Sequence, residues 1–77
     1  MTYEVVVQLK SEVLDPEGRA IQETLDRLGF NALKDVKVSK RYVLEIDSSA
    51  NSDEVVNNIA KEFLANPVSE TYSIRKL

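Results

Sequence analysis

The sequence has no cysteine and no histidine, and of its 77 residues only two are glycine and two proline. Without cysteine there are no disulfides and no thiol chemistry; without histidine there is no imidazole acid–base catalysis, and together the two absences remove the usual zinc ligands. Tryptophan is missing too, and no stretch approaches the ~20 consecutive apolar residues of a membrane span. No apolar run behind a basic patch marks an export signal, so the expectation is a cytoplasmic protein with no membrane partner. The two glycines, Gly18 and Gly29, do not belong to a spaced set that could cradle a phosphate, which leaves no basis for a nucleotide site. Positive charge is also scarce, with 10 Lys and Arg against 13 Asp and Glu and a net charge of -3. Because nucleic-acid affinity rests on cations neutralising phosphates, nucleic acid is not an expected partner.

What is present fits one small domain, residues 1–77, with an apolar fraction of 43% and a charged fraction of 30%. A domain this size buries only about 60% of its unfolded surface and often gains stability by self-association. From Thr2 to Lys10 the chain alternates, with Tyr3, Val5, Val7 and Leu9 on one face, which predicts a half-buried strand. Asp15 and Pro16 then read as the N-cap and first residue of a helix running to Leu28: the carboxylate can accept from free backbone N–H groups, and proline has none to leave unpaired. Ala20, Ile21, Leu25 and Leu28 make its apolar stripe; Gly29 ends it, with Phe30 expected to fold back.

Lys34 to Asp47 reads as a hairpin. Val36 and Val38 share parity with Tyr42, Leu44 and Ile46, so the turn needs an odd number of residues, and Ser39-Lys40-Arg41 supplies it. The polar run from Ser48 to Ser52 leads to a second helix capped by Asn51 or Ser52, with Val55, Val56, Ile59, Ala60, Phe63 and Leu64 as its stripe and Asn66-Pro67 as its end. A last strand begins at Val68, with Tyr72 and Ile74 inward and Glu70 as an intruder among them. The order β-α-β-β-α-β predicts an α+β two-layer sandwich of ferredoxin-like type, a four-stranded antiparallel sheet with both helices on one face. The other face would carry Glu4, Val6, Gln8, Lys37, Val43, Glu45, Thr71 and Arg75, and we expect it or the sheet edges to make subunit contacts.

Reactive constellations are few. Ser48, Ser49 and Ser52 have no His or Cys to activate them, so they read as loop and cap residues. The acid pairs Asp15/Glu17, Glu45/Asp47 and Asp53/Glu54 lack calcium-loop spacing, and helix first turns account for several of them. Tyr3, Tyr42 and Tyr72 all fall on inward faces and suit core packing. No catalytic, cofactor-binding or metal-ligating residue is expected.

Three stretches resemble one family. Val13-Leu14-Asp15-Pro16-Glu17-Gly18 followed by Ile21, Asp35-Val36-Lys37-Val38 followed by Ser39-Lys40, and Leu64-Ala65-Asn66-Pro67-Val68 followed by Glu70 and Tyr72 are similar to the small, PurS-type subunit of phosphoribosylformylglycinamidine synthase. Ser39 stands where that family commonly has glycine. The resemblance spans essentially the whole chain and marks Asp15, Pro16, Gly18, Asn66, Pro67 and Tyr72 as a structural signature. It implies a complex in purine biosynthesis that uses ATP, magnesium and glutamine, in which this subunit carries no active site. It also implies homo-oligomers, dimeric or larger, that join a large synthetase subunit to a glutaminase subunit. Lys40 and Arg41, at the expected hairpin tip, are the suggested partner contact. The same element order is also similar to ACT-type domains, whose dimers bind regulatory ligands at strand–helix loops; Ser11-Glu12-Val13-Leu14 is more apolar and charged than such a loop requires.

Overall fold

Alternation of β-branched residues makes Thr2–Leu9 the first strand, β1, and the other strands are arranged about it. In the computed structural model, which describes residues 1–47 and 51–77, β1 is followed by α1 (Pro16–Arg27), β2 (Ser39–Glu45), α2 (Ser52–Ile59), a π-helical turn (Ala60–Leu64) and β3 (Glu70–Lys76). The sheet is antiparallel, of order β2-β1-β3, with Val5 opposite both Tyr42 and Ile74. The α+β class and the antiparallel ferredoxin-like sheet are those the sequence implies, with three strands in place of the four expected. Ser48, Ser49 and Ala50 of the expected polar connection lie outside the described residues.

Side chains on one face of the sheet meet α2. Tyr3, Val5 and Val7 from β1 close on Val56, Ala60 and Ala65, with Tyr42, Leu44, Ile46, Leu64, Tyr72 and Ile74 half-buried around them. The three tyrosines are therefore inward, as alternation predicts. Tyr3 donates from its hydroxyl to Asp53 Oδ1 at 2.5 Å and sits 2.8 Å from Ser52 Oγ, so its buried oxygen is satisfied at the start of α2. Asn51 occupies the N-cap position, but its side chain makes no cap hydrogen bond; its amide donates instead to Glu54 Oε2.

The hairpin expected over residues 34–47 does not form. Ser39, Lys40 and Arg41, the expected turn, are instead the first residues of β2 and pair with Gln8, Val7 and Val6 of β1. Their backbone is committed to the central strand, and the loop offers no glycine for the left-handed position a three-residue turn favours. Among the described residues the 33–38 segment forms no strand; it runs back along the start of α1.

This segment also displaces the expected position of the first helix. No residue of α1 belongs to the core or its half-buried surround. Of α1 only Gly18 is buried, under the 33–38 segment rather than on the sheet. Ile21 and Leu28 of its stripe stay 40% and 68% exposed. The helix otherwise ends as its sequence dictates. Gly29 has φ +97, and the N–H groups of Gly29 and Phe30 donate to the carbonyls of Asp26 and Leu25 at 3.1 and 3.0 Å. The result is long and thin, 53 × 25 × 13 Å, with a radius of gyration of 16.1 Å; a compact chain of this length would have about 11–12 Å.

The second helix departs from its expected stripe near its end. The Ala65 N–H donates to the Ala60 carbonyl at 3.0 Å, an i→i+5 closure. That wider turn advances each residue by a smaller angle than an α-helix, so Leu64 and Ala65 swing inward and Phe63 swings out, to 83% exposure. Among the described residues no helix is long and apolar enough to cross a membrane.

A Cβ on Gly18 would lie 2.1 Å from the Val36 carbonyl oxygen, a backbone atom that cannot step aside alone. Gly18→Ala would add about 1 kcal/mol of helix propensity in an open helix, but here it is expected to lower unfolding free energy by about 1–3 kcal/mol, as overpacking does. The measurement is the urea midpoint, and a midpoint at or above that of the unmodified chain contradicts the close approach.

Candidate assembly site

All three sequence motifs converge on one end of the sheet, where β1 finishes. Lys10, the residue after β1, donates its backbone N–H to the Ser69 carbonyl and its ammonium to the Pro67 carbonyl, tying the chain to the turn before β3. Asn66 shapes that turn: its Oδ1 accepts from the Val68 N–H, while its own N–H donates to Glu70 Oε1 at 2.7 Å. Glu70 looked misplaced on an apolar face because its partner is this turn, which alternation cannot reveal. Pro67 adds fixed φ to the same turn. Tyr72, opposite Val7, reaches across to donate to Asn57 Oδ1 on α2 at 3.1 Å.

Asp15 is the centre of the other two motifs. Its Oδ1 accepts from the Gly18 N–H at 2.8 Å, the N-cap bond the sequence predicts. Its Oδ2 accepts from the Val38 N–H at 2.7 Å, a bond no helix rule foresees. Gln22 Nε2 donates to the Lys34 carbonyl at 3.0 Å, and the Val36 carbonyl lies against Gly18. One carboxylate thus starts α1 and fastens the returning segment to it. The Gly18 hydrogen bond, then the Val38 bond, hold the Asp15 carboxyl below the usual carboxylate range. A cleft of about 650 Å³ opens beside this clip, between the 8–16 and 35–39 segments. The helix N–H groups that an anionic ligand would seek there are already engaged by Asp15.

Lys40 and Arg41 are not at an exposed tip. Both lie in β2, an edge strand of the sheet. The Arg41 guanidinium hydrogen-bonds Glu4 on the outer face of β1, and Arg75 of β3 donates to the same carboxylate oxygen at 3.3 Å. Glu4 is only 13% exposed between them, and the Arg41 bond holds its carboxyl low, against the opposing effect of burial. This three-strand bridge lay within reach of parity: Glu4, Arg41 and Arg75 share the outer face once the register is known. Lys37, placed on that face by the expected hairpin, lies outside the strands.

The features that sequence reasoning missed are apolar. Phe63 and Val68, 83% and 80% exposed, flank the Asn66-Pro67 turn. Leu25, Phe30 and Leu33 line a shallow bowl at the far end of α1, so Phe30 folds back only partway. Among the described residues, no three acids come together in a way that could hold a metal ion. The site offers exposed apolar surfaces and a preorganised turn.

The chain matches the family model described as PurS, phosphoribosylformylglycinamidine (FGAM) synthase, over residues 2–77. It is 43% identical over 72 residues to the phosphoribosylformylglycinamidine synthase subunit PurS of Mycobacterium leprae, covering 94% of this chain and 90% of that one. Its structure is similar to that of Bacillus subtilis PurS, with TM-score 0.88 and 36% identity, covering 96% and 94% of the two chains. It is also similar to a chain in the structure of PurLQS from Thermotoga maritima, with TM-score 0.80, 30% identity and coverage of 100% and 99%.

Both lowered carboxyls make stability depend on acidity. A group whose folded pKa lies below its unfolded value contributes stability above the unfolded pKa, about 4, and loses it as pH falls through the folded one. The urea midpoint should therefore fall steeply below about pH 4, and Asp15→Asn and Glu4→Gln should each flatten that acid limb. An acid limb in Asp15→Asn as steep as in the unmodified chain would show that the clip does not hold the fold.

Proposed function

The chain belongs to the PurS family of phosphoribosylformylglycinamidine synthase subunits, and on that premise we propose that it is the assembly subunit of its complex, without an active site of its own. On this reading it associates with further copies of itself and joins a synthetase subunit to a glutaminase subunit; ATP, magnesium and glutamine are used by those partners. The similar chain from Thermotoga maritima belongs to a structure of PurLQS, and a PurS chain found together with L and Q components supports the three-subunit reading. The observation that carries the reading is the open architecture. A ferredoxin-like sheet takes two helices on one face, yet this chain places one there and leaves the stripe of α1 uncovered. Two incompletely covered surfaces of one chain, the exposed α1 stripe and the half-buried Tyr42, Leu44 and Ile46 side of the sheet, suit each other in a symmetric pair. Lys40 and Arg41, on the free edge of β2, offer a polar contact for a partner subunit. A regulatory-ligand role is less favoured, because Asp15 occupies the helix start such a ligand would use.

The test is reconstitution of glutamine-dependent amidine formation from the synthetase and glutaminase subunits, with and without this chain. Omission is expected to reduce both the activity and the co-purification of the two partners; full activity and an intact complex without the chain contradict the proposal. Ile21→Lys/Leu28→Lys, which changes exposed positions and keeps helix propensity, should weaken self-association by at least about tenfold, as burying a charge in an apolar contact does. Sedimentation velocity reads that shift, and unchanged association places the self-contact elsewhere.

A further inference from the structure

The segment formed by α1 and its return, residues 13–38, is an arm whose only buried residue is Gly18. It is held together from within, through Asp15 with Gly18 and Val38, Gln22 with Lys34, and the Phe30 N–H on the Leu25 carbonyl. None of its side chains enters the core. Its helix has 12 residues, a length at which an isolated helix in water is marginal and depends on packing for its order. The packing is missing within the chain, since Ile21 and Leu28 face solvent. By contrast β1 is hydrogen-bonded on both edges and carries the fully buried Val5 and Val7. The molecule therefore divides into a sheet and α2 that are stable on internal contacts, and an arm that has few.

We propose that the arm is an assembly-dependent element: residues 13–38 are ordered when a second copy covers the α1 stripe, and open locally in a free copy. This inference rests on the self-association reading above and adds a consequence to it. Arg19, Arg27, Lys34 and Lys37 all lie in the arm, so a free copy presents extended chain with four sites for trypsin, whereas an assembled one does not. An orphan subunit is thereby marked for proteolysis by the same surface that assembly hides. Local opening of this kind follows from low burial and few tertiary contacts, and cleavage tracks the population of the open form when reclosing is fast.

The experiment is hydrogen exchange read by mass spectrometry on the full chain, across a dilution series in which sedimentation gives the assembled fraction at each step. Ile21→Lys/Leu28→Lys supplies a free copy if the unmodified chain stays assembled throughout. The amides of residues 20–28 are expected to exchange at least about tenfold faster in the free copy, with trypsin cutting the diluted unmodified chain first within residues 13–38, while the amides of residues 5–7 stay protected. Dissociation with undiminished protection of residues 20–28 overturns this inference alone. A chain that sediments as a monomer at every concentration overturns the self-association reading, and this inference with it.

Discussion

A single carboxylate, that of Asp15, fastens about a third of the chain, the 13–38 segment, to itself. A helix start needs acceptors for its free N–H groups, and Oδ1 meets that need at Gly18. The second oxygen then captures the Val38 N–H, 23 residues on in sequence. Once that bond forms, the 33–38 segment cannot pair as a strand beyond β2, and it lies against α1 so closely that only glycine fits beneath Val36. The three-stranded sheet, the displaced first helix and the elongated shape all follow from where this segment is fastened.

Sequence patterning carried far where one period governs one element. β1, the start of α1, the glycine that ends it and the inward tyrosines follow from alternation, capping and the φ that Gly29 alone can adopt without strain. It failed where backbone groups have side-chain partners distant in sequence. Val36 and Val38 share parity with Tyr42 and Leu44, but parity is silent about whether an N–H is already spent on a carboxylate. Phe63 misled for another reason: a stripe drawn at 3.6 residues per turn ignores a local change in helical pitch, and the closure from Ala65 to Ala60 removes Phe63 from the core. The motifs at Asp15-Pro16 and Asn66-Pro67 were visible as punctuation, yet their meeting at one end of β1 through Lys10 is a property of the fold.

The family assignment and the physical reading support the same kind of function. The chain leaves apolar surface uncovered at Ile21, Leu28, Phe63 and Val68. In a small domain, leaving one helix off the core is a large sacrifice of burial. The proposed assembly restores it between chains, and couples the folding of the arm to the presence of a partner. On the opposite face of the sheet Glu4 bridges Arg41 and Arg75, whose guanidinium groups remain reachable.

Whether one copy is a finished molecule can be read by native mass spectrometry of the unmodified chain at neutral pH. If assembly completes the fold, masses appear at multiples of 8.7 kDa, and the single copy is a minor species whose charge states indicate an expanded form. A dominant 8.7 kDa species with the narrow, low charge states of a compact fold would contradict it.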